Sequence, residues 1–414
     1  MRLIAVSESP ARPAAAAPAP SPNFGAVGVT GAVVIGGDYQ GLGIVRSLGR
    51  HGVPALVVDN EHSVARYSRY ATGAVHVANL RDEDATIATL VALGRRRGLD
   101  GWVLFPTRDE TVAALSRHRA ELAPWFRVPT PAWDSVQWIW DKRNTYARAR
   151  ELDIAAPATW LVRSEDELDA VTADPPYVVK PAIKEHFFYA TRVKAWRANS
   201  RQELHHAFRR ASAQVGAEEV MIQELVPGDG RQQFAYCAMF KDGRALASMT
   251  VCRRRQHPPE FGRASTYVET VEAPHLEEIS ERFLRAIGYY GLVEMEYKLD
   301  PRDGRYKLLD VNGRTWGYHS LGAAAGVDFP YLLFADQLGL PTTQGRARAG
   351  VRWVRLATDL PVGLLDAWAG RQRWSAYWQS LRRANTEAVF SRRDPWPGLV
   401  EIFLLPYLFA KRGF

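Results

Sequence analysis

The run GLVEMEYKLDPRDGRYKLLDVNGRTWG, from Gly291 to Gly317, restricts the fold of this 414-residue chain more than any other stretch. It has the pattern of two strands joined by a turn. Val293, Met295 and Tyr297 alternate with Glu294, Glu296 and Lys298; on the return, Leu309 and Val311 alternate with Asp310, Asn312 and Arg314. Successive strand side chains take opposite faces, so one face of the hairpin is core and the other carries carboxylates, an amide and a guanidinium. Oxygen donors beside an arginine suit a magnesium ion next to a phosphate. Strand parity leaves Glu294 and Glu296 equally able to face Asp310, because the pattern does not set the register across the turn.

A hairpin with one buried face needs other layers to cover it. The chain supplies them: it is 47% hydrophobic and 24% charged, a globular balance, and its length suits two or three domains of roughly 150 residues. Residues 1–27, centred on PARPAAAAPAPSP, are too poor in large apolar side chains to pack and are expected to be disordered. Their start has one basic residue and no sustained apolar run, unlike a signal peptide. No stretch approaches the ~18 apolar residues of a transmembrane segment. The closest, LVEIFLLPYLFAKRGF, contains Pro406 and reads as a buried helix in preference to a membrane-surface contact. Cys237 and Cys252 are the two cysteines, without metal-ligand spacing, and fit core positions in a reducing cytoplasm. The net charge of +8 comes without any nucleic-acid-binding motif; anionic small substrates account for part of it.

From Gly31 the order is strand (GAVVI), glycine turn, helix, strand (VPALVVDN), with a third strand at GWVLFPT followed by the helical pattern RDETVAALSRHRAEL. Strands alternating with helices imply a parallel sheet. Gly36, Gly37, Gly41 and Gly43 sit where strand meets helix, but their spacing is not the dinucleotide-binding one. Residues 28–135 form this unit. A second, 136–228, opens with a helix capped by Asp141. It continues through strands after Pro157, at YVVKP, through ATRVKAWR and at VMIQELVPG, with a helix over 200–214. The third, 229–344, holds the strands QQFAYCAMF and GRALASMTVCRRRQ, the helix LEEISERFLRAIGYYG and the hairpin; 345–414 reads as a basic, Trp-rich extension of helices that includes WVRL. The fold class is therefore α/β and α+β in three parts, with an extra C-terminal helical segment.

Several side chains stand out against this frame. Lys180, on the apolar strand YVVKP, is costly there unless it meets an anion or its stem reaches the surface. Lys142 stands at a helix start, where a cation opposes the helix dipole unless an anion is near. Glu296, Asp310 and Asn312 offer oxygen ligands to one or two divalent cations, with Arg314 placed to neutralise phosphate. Arg253 and Arg255 alternate on one strand before a Gly/Pro loop; they suit phosphate or carboxylate oxygens, or serve as a basic strand edge. Tyr189 and Lys194 can close over a ligand from a strand rich in aromatic residues.

Together these segments resemble the ATP-grasp superfamily over residues 30 to 340, in the order DK, VVKP, QELVPG and VEMEY…LLDVNGR. The resemblance implies three units clamping ATP. It places Lys142 and Lys180 on the phosphates, Gln223, Glu224 and Val226 at adenine, and Asp229, or in its place Gln233, at the ribose. It selects Glu296, with Asp310 and Asn312, as magnesium ligands (Mn2+ being an alternative) and Arg314 as the phosphate-side arginine; Arg253 and Arg255 join it as catalytic candidates from their own strand pattern. Within the superfamily the chain looks like stand-alone carboxylate–amine ligases with a D-aspartate-ligase-like domain. These activate a small-molecule carboxylate as an acyl phosphate for attack by an amine. A carboxyphosphate-forming carboxylase and a non-catalytic nucleotide-binding module are the other readings. Two departures are visible. No glycine lies between Lys180 and Gly216, where the family has a glycine-rich lid, so closure would use Lys184 or Lys194. Asp310 stands where glutamate is commoner, and its shorter reach favours one metal over two.

Overall fold

Three apolar runs, AVVI, ALVVD and WVLFP, are buried along their whole length, the mark of strands covered on both faces. In the computed structural model, which describes residues 29–412 apart from 192, 259, 260 and 263, they form the centre of a five-stranded parallel sheet. The disorder expected for residues 1–27 lies outside the described residues. The strands are β1 (Ala32–Ile35), β2 (Ala55–Asp59), β3 (Ala71–His76), β4 (Trp102–Pro106) and β5 (Phe126–Arg127), in the order β3-β2-β1-β4-β5. The order reverses between β1 and β4, and the crevice beyond the carboxyl ends of strands at such a switch point is where open α/β sheets receive ligands. Two loops open there, Gly36–Asp38 after β1 and Thr107–Arg108 after β4, the second leading into the helix Asp109–Arg117.

The glycines after β1 serve close approach. Gly36 has φ +97°, and a Cβ on Gly41 would stand 2.1 Å from the Gly36 carbonyl oxygen. A Cβ on Gly43 would meet the His319 ring at 2.5 Å, so this face of the Tyr39–Arg50 helix is kept bare for the segment that follows the hairpin.

The helix Lys142–Glu151 begins where expected: the Asp141 carboxylate accepts from the Arg143 N–H at 2.9 Å, a normal N-cap. Next comes a four-stranded sheet of β6 (Thr159–Leu161), β7 (Tyr177–Pro181), β8 (Trp196–Ala198) and β9 (Val220–Glu224), in the order β6-β9-β7-β8. The segment expected to be a strand through ATRVKAWR is different. Lys184–Thr191 is a helix, and only Trp196–Ala198 is extended. Aromatic density suggested a strand, but burial decides. Phe187 is fully buried against Trp196, their ring centroids 4.7 Å apart, while Lys184, Glu185 and Phe188 face a cavity. That division follows helical and not alternating spacing. The side chain of Tyr189 lies outside the described residues.

The largest sheet is mainly antiparallel. Its strands are β10 (Gln233–Lys241), β11 (Arg244–His257), β12 (Ala264–Thr270), β13 (Gly291–Leu299), β14 (Tyr306–Asn312), β15 (Gly345–Arg346), β16 (Arg352–Val354) and β17 (Thr386–Glu387). The order is β14-β13-β10-β11-β12-β16-β17, with β15 on β11. WVRL, expected to be helical, contributes Trp353 to β16, where it is fully buried. Helices Leu356–Trp368, Trp374–Arg382 and Trp396–Arg412 follow. One core cluster joins the parallel sheet to this one through Val34, Phe105, Cys237, Met249 and Trp353. Both cysteines are free and buried. Asp394 fastens the C-terminal segment to the first sheet: it accepts from Arg46 at 2.8 Å and from the Ser68 hydroxyl at 2.7 Å.

Candidate active site

The hairpin forms with a definite register. Glu294 pairs with Asn312 and Glu296 with Asp310 across β13 and β14, and a bulge follows between Glu296 and Tyr297. The bulge breaks the simple alternation expected on the return strand: Leu308, not Leu309, takes the core position opposite Tyr297. The Asn312 amide donates to Glu294 and to Glu296, each at 3.1 Å. From the neighbouring strands Arg253 reaches Glu296 at 2.7 Å and Glu294 at 3.1 Å, and the Tyr318 hydroxyl donates to Glu294 at 2.5 Å.

This arrangement separates the two glutamates electrostatically. Burial, and then the like charge of Glu296, pushes the Glu294 carboxyl up. Burial acts the same way on Glu296, but Arg253 and Lys194 outweigh it and hold that carboxyl well below the usual range. Glu296 is thus the firmly ionised member, as a cation ligand must be.

The cations converge from three other segments. Lys142 donates to Asp310; burial opposes ionisation of Asp310, while Lys142 and Lys184 draw its carboxyl down. Lys184, on the helix that replaces the expected strand, donates to Asp109, which also meets Arg314 at 2.8 Å. Arg314 Nη2 stands 3.3 Å from the Asn312 amide oxygen. Lys180 donates to the Tyr146 hydroxyl at 2.8 Å, and Tyr146 in turn donates to the Leu309 carbonyl at 2.8 Å. A narrow cleft is lined by Asp109, Lys142, Lys184, Asp310 and Asn312. A larger cavity of about 560 Å³ lies beside it, bounded by Gly36, Arg108, Lys184, Lys194, Arg314 and Arg355, among others. It opens at the switch point of the parallel sheet.

Asp109 was not singled out by the sequence reading. The available signal was its place in PTRDE, directly past the carboxyl end of a fully buried parallel strand.

Lys194 donates to the Gly262 carbonyl at 3.1 Å. Burial dominates its titration and brings its ammonium down to about 8, although Glu296 pulls the other way. A lysine with a lowered pKa is charged below that pH and neutral above it. Anion binding that uses Lys194 should therefore weaken on the alkaline side. The expected result is a basic limb near pH 8 in kcat/KM for ATP, which reports the free enzyme, and a limb moved to higher pH in Lys194→Arg. A limb unmoved in that variant assigns the titration to another group.

Not every expected site residue joins the cluster. A bulge in β11 pairs Arg253 with Val268 but Arg255 with the adjacent Tyr267, so the two arginines take opposite faces and not one. Arg255 binds Asp359 at 2.8 Å through both Nε and Nη2 and lies 4.3 Å from the Tyr267 ring centroid. It fastens the Leu356–Trp368 helix to the sheet. Gln223 is paired on both sides, with Thr159 and Val178, and its side chain donates to the Thr159 hydroxyl at 2.7 Å. The Glu224 carboxylate accepts from Arg302 at 2.7 Å, the Val226 carbonyl from Lys298 at 2.8 Å, and Asp229 from Arg231 at 2.6 Å.

Among the described residues no three His, Cys, Asp or Glu side chains converge as a metal-binding group. The donor set still fits a hard cation when the amide is included. Glu296 lies directly opposite Asp310, Asn312 is on the same strand face, and each carboxylate is neutralised by a cationic side chain. All three side chains offer oxygen donors, as such a cation requires.

The chain is similar to several known proteins. The family described as "ATP-grasp in the biosynthetic pathway with Ter operon" matches residues 219–358. D-aspartate ligase of Enterococcus faecium (strain Aus0004) is 24% identical over 299 residues, 68% of this chain and 70% of that protein. Among solved structures, L-amino acid ligase from Bacillus licheniformis has a TM-score of 0.57 at 16% identity, covering 76% of this chain and 75% of that one. The biotin carboxylase domain of Hydrogenobacter thermophilus 2-oxoglutarate carboxylase, in complex with MgADP, ADP and bicarbonate, has a TM-score of 0.62 at 13% identity, covering 78% and 73%.

Proposed function

We propose that the chain is an ATP-grasp protein of the carboxylate–amine ligase kind, and that its cleft and cavity together join a small carboxylic acid to an amine. A carboxylate oxygen attacks the γ-phosphorus of ATP and ADP leaves, giving an acyl phosphate. The amine nitrogen then attacks the acyl carbon, loses its proton to solvent, and phosphate departs. Catalysis of this kind is positioning and charge neutralisation.

The residues divide that work. Glu296, Asp310 and Asn312 would hold Mg2+, which would offset the charge of the phosphates; the short reach of Asp310 favours a single ion, and Mn2+ would meet the same oxygen donors. Lys142 and Lys180 lie along the phosphates and Arg314 neutralises the transferring group. Arg253 keeps Glu296 ionised from behind. The strand end from Glu224 to Val226 would face adenine and Asp229 the ribose, while Gln223, held within the sheet by Thr159 and Val178, supports that end. The acid occupies the 560 Å³ cavity, against the Gly36–Asp38 loop and the Thr107–Asp109 entry to the helix after β4. We take residues 28–135, 136–228 and 229–344 as the three units that clamp the nucleotide, with 345–414 as the extension. Reduced, buried Cys237 and Cys252 suit a cytoplasmic enzyme.

The observation that carries this reading is the Asp109–Arg314 pair: it connects the helix start beyond the parallel sheet, where an acid would sit, to the hairpin face where phosphate would be transferred. The test is ADP release with panels of amino acids and small acids. ADP is expected only when acid and amine are both present, with a product whose mass is their sum less water. Release driven by bicarbonate alone would instead support carboxyphosphate formation, and nucleotide binding without release under any pairing would leave a binding module.

A further inference from the structure

The last helix, Trp396–Arg412, has apolar residues on every side, yet only one side is buried. Inward, Leu408 is buried, Leu405 and Leu408 line the large cavity, and Glu401 accepts from Arg355 at 3.0 Å. Outward, Trp396, Leu399, Ile402 and Phe403 follow at helical spacing and are 62%, 46%, 49% and 83% exposed. The sequence alone favoured a buried helix, and that holds for half its circumference. A helix apolar all round normally has both faces covered, and a run of large apolar side chains left open marks an interaction surface.

Charge indicates what covers it. Arg392 and Arg393 are exposed just before the helix, and Lys411 and Arg412 close it. The acids of this region are spent internally. Asp394 binds Arg46 and Ser68, Glu401 binds Arg355, and Glu387 accepts from three backbone N–H groups, those of Leu356, Val389 and Phe390. The sequence is therefore basic on both sides of this open apolar run, Arg392 and Arg393 before it and Lys411 and Arg412 after it. A second copy docking here would set basic ends against basic ends in either orientation. An anionic lipid surface offers hydrocarbon for the middle and negative headgroups for both ends, with Trp396 suited to the interface. Among the described residues no helix is long and apolar enough to cross a membrane, so the mode is one of lying on the surface.

We propose that the outer face of helix Trp396–Arg412 seats the protein on anionic membranes, while its inner face walls the cavity. The test is co-sedimentation of the full chain with phosphatidylcholine vesicles made with or without phosphatidylglycerol. About tenfold more chain should pellet with the anionic vesicles, and added salt should reduce it. Ile402→Glu/Phe403→Glu should abolish pelleting while ADP release without vesicles is unchanged. Arg392→Glu/Arg393→Glu, outside the helix, should remove the preference for phosphatidylglycerol and supplies a second variant should the first fail to fold. Equal pelleting of wild type and both variants overturns the proposal. So does a wild-type dimer, made monomeric by Ile402→Glu/Phe403→Glu, that binds neither vesicle.

Discussion

Asp310→Asn is expected to lower ADP release by about 10²–10³-fold, the usual effect of removing one preorganised charge from a transferring group. Asp310 is the hairpin carboxylate that both faces Glu296 across the strands and meets Lys142. Asparagine keeps its size and one oxygen but lends no charge to a cation. Stability should change far less than rate, because the side chain is 17% exposed and its neighbour Lys142 is 12% exposed, so both gain some solvation from water. The sign of the residual effect is fixed. The Asp310 carboxyl titrates below its ordinary value, so its contribution is present above about pH 4 and is lost as pH falls through the folded value. Urea melts of wild type and variant should therefore differ at pH 7 and converge in acid. If turnover were unchanged while the melts behaved this way, Asp310 would be a structural partner of Lys142 and the cation face would need reassignment.

The second large effect is on folding. Arg253→Met should cost about 3–5 kcal/mol, the range for breaking a buried charge cluster by removing one partner. Arg253 has 8% of its side chain exposed and faces Glu294 at 4% and Glu296 at 16%. Without it two carboxylates share a dry site, with the Asn312 amide and the Tyr318 hydroxyl as hydrogen-bond donors and Lys194 as the more distant counter-charge of Glu296. One must take up a proton, so the variant should gain stability as pH is lowered from 7 toward 5, the reverse of Asp310. Adding Glu294→Gln to Arg253→Met should recover part of the loss, because the two positions are in contact and their effects do not add. A loss below about 1 kcal/mol would mean that water already solvates the glutamates, and the cluster would not be buried in solution.

The sequence showed the hairpin because alternation on both strands exposed a polar face where none is needed for packing. It could not show which glutamate meets Asp310, since the register depends on the six-residue turn and on a bulge after Glu296. A bulge likewise defeated the pairing of Arg253 with Arg255: one extra residue in β11 sends every later side chain to the other face. The Lys184–Thr191 helix was missed because its sequence is dominated by aromatic residues, and its helical character shows only in which of them are buried. Asp109 was missed because an acid in the first turn of a helix is ordinary until tertiary packing sets Arg314 and Lys184 against it. The parallel sheet was readable from its uninterrupted apolar strands, except β3, whose half-buried edge pattern carries little signal.

The Arg46–Asp394 pair, 348 residues apart, has a consequence for how the molecule is made. The first sheet is composed of early residues and local βα units, so it can condense while the chain is still being synthesised. Its outer helix nevertheless leaves the Arg46 guanidinium without its carboxylate and carbonyl partners, Asp394 and Val389, until residue 394 has left the ribosome. Synthesis at about 5–20 residues per second leaves that arginine waiting for tens of seconds. Ribosome-bound chains halted before Asp394 should therefore be open to proteolysis around Arg46, and chains halted well beyond it should not.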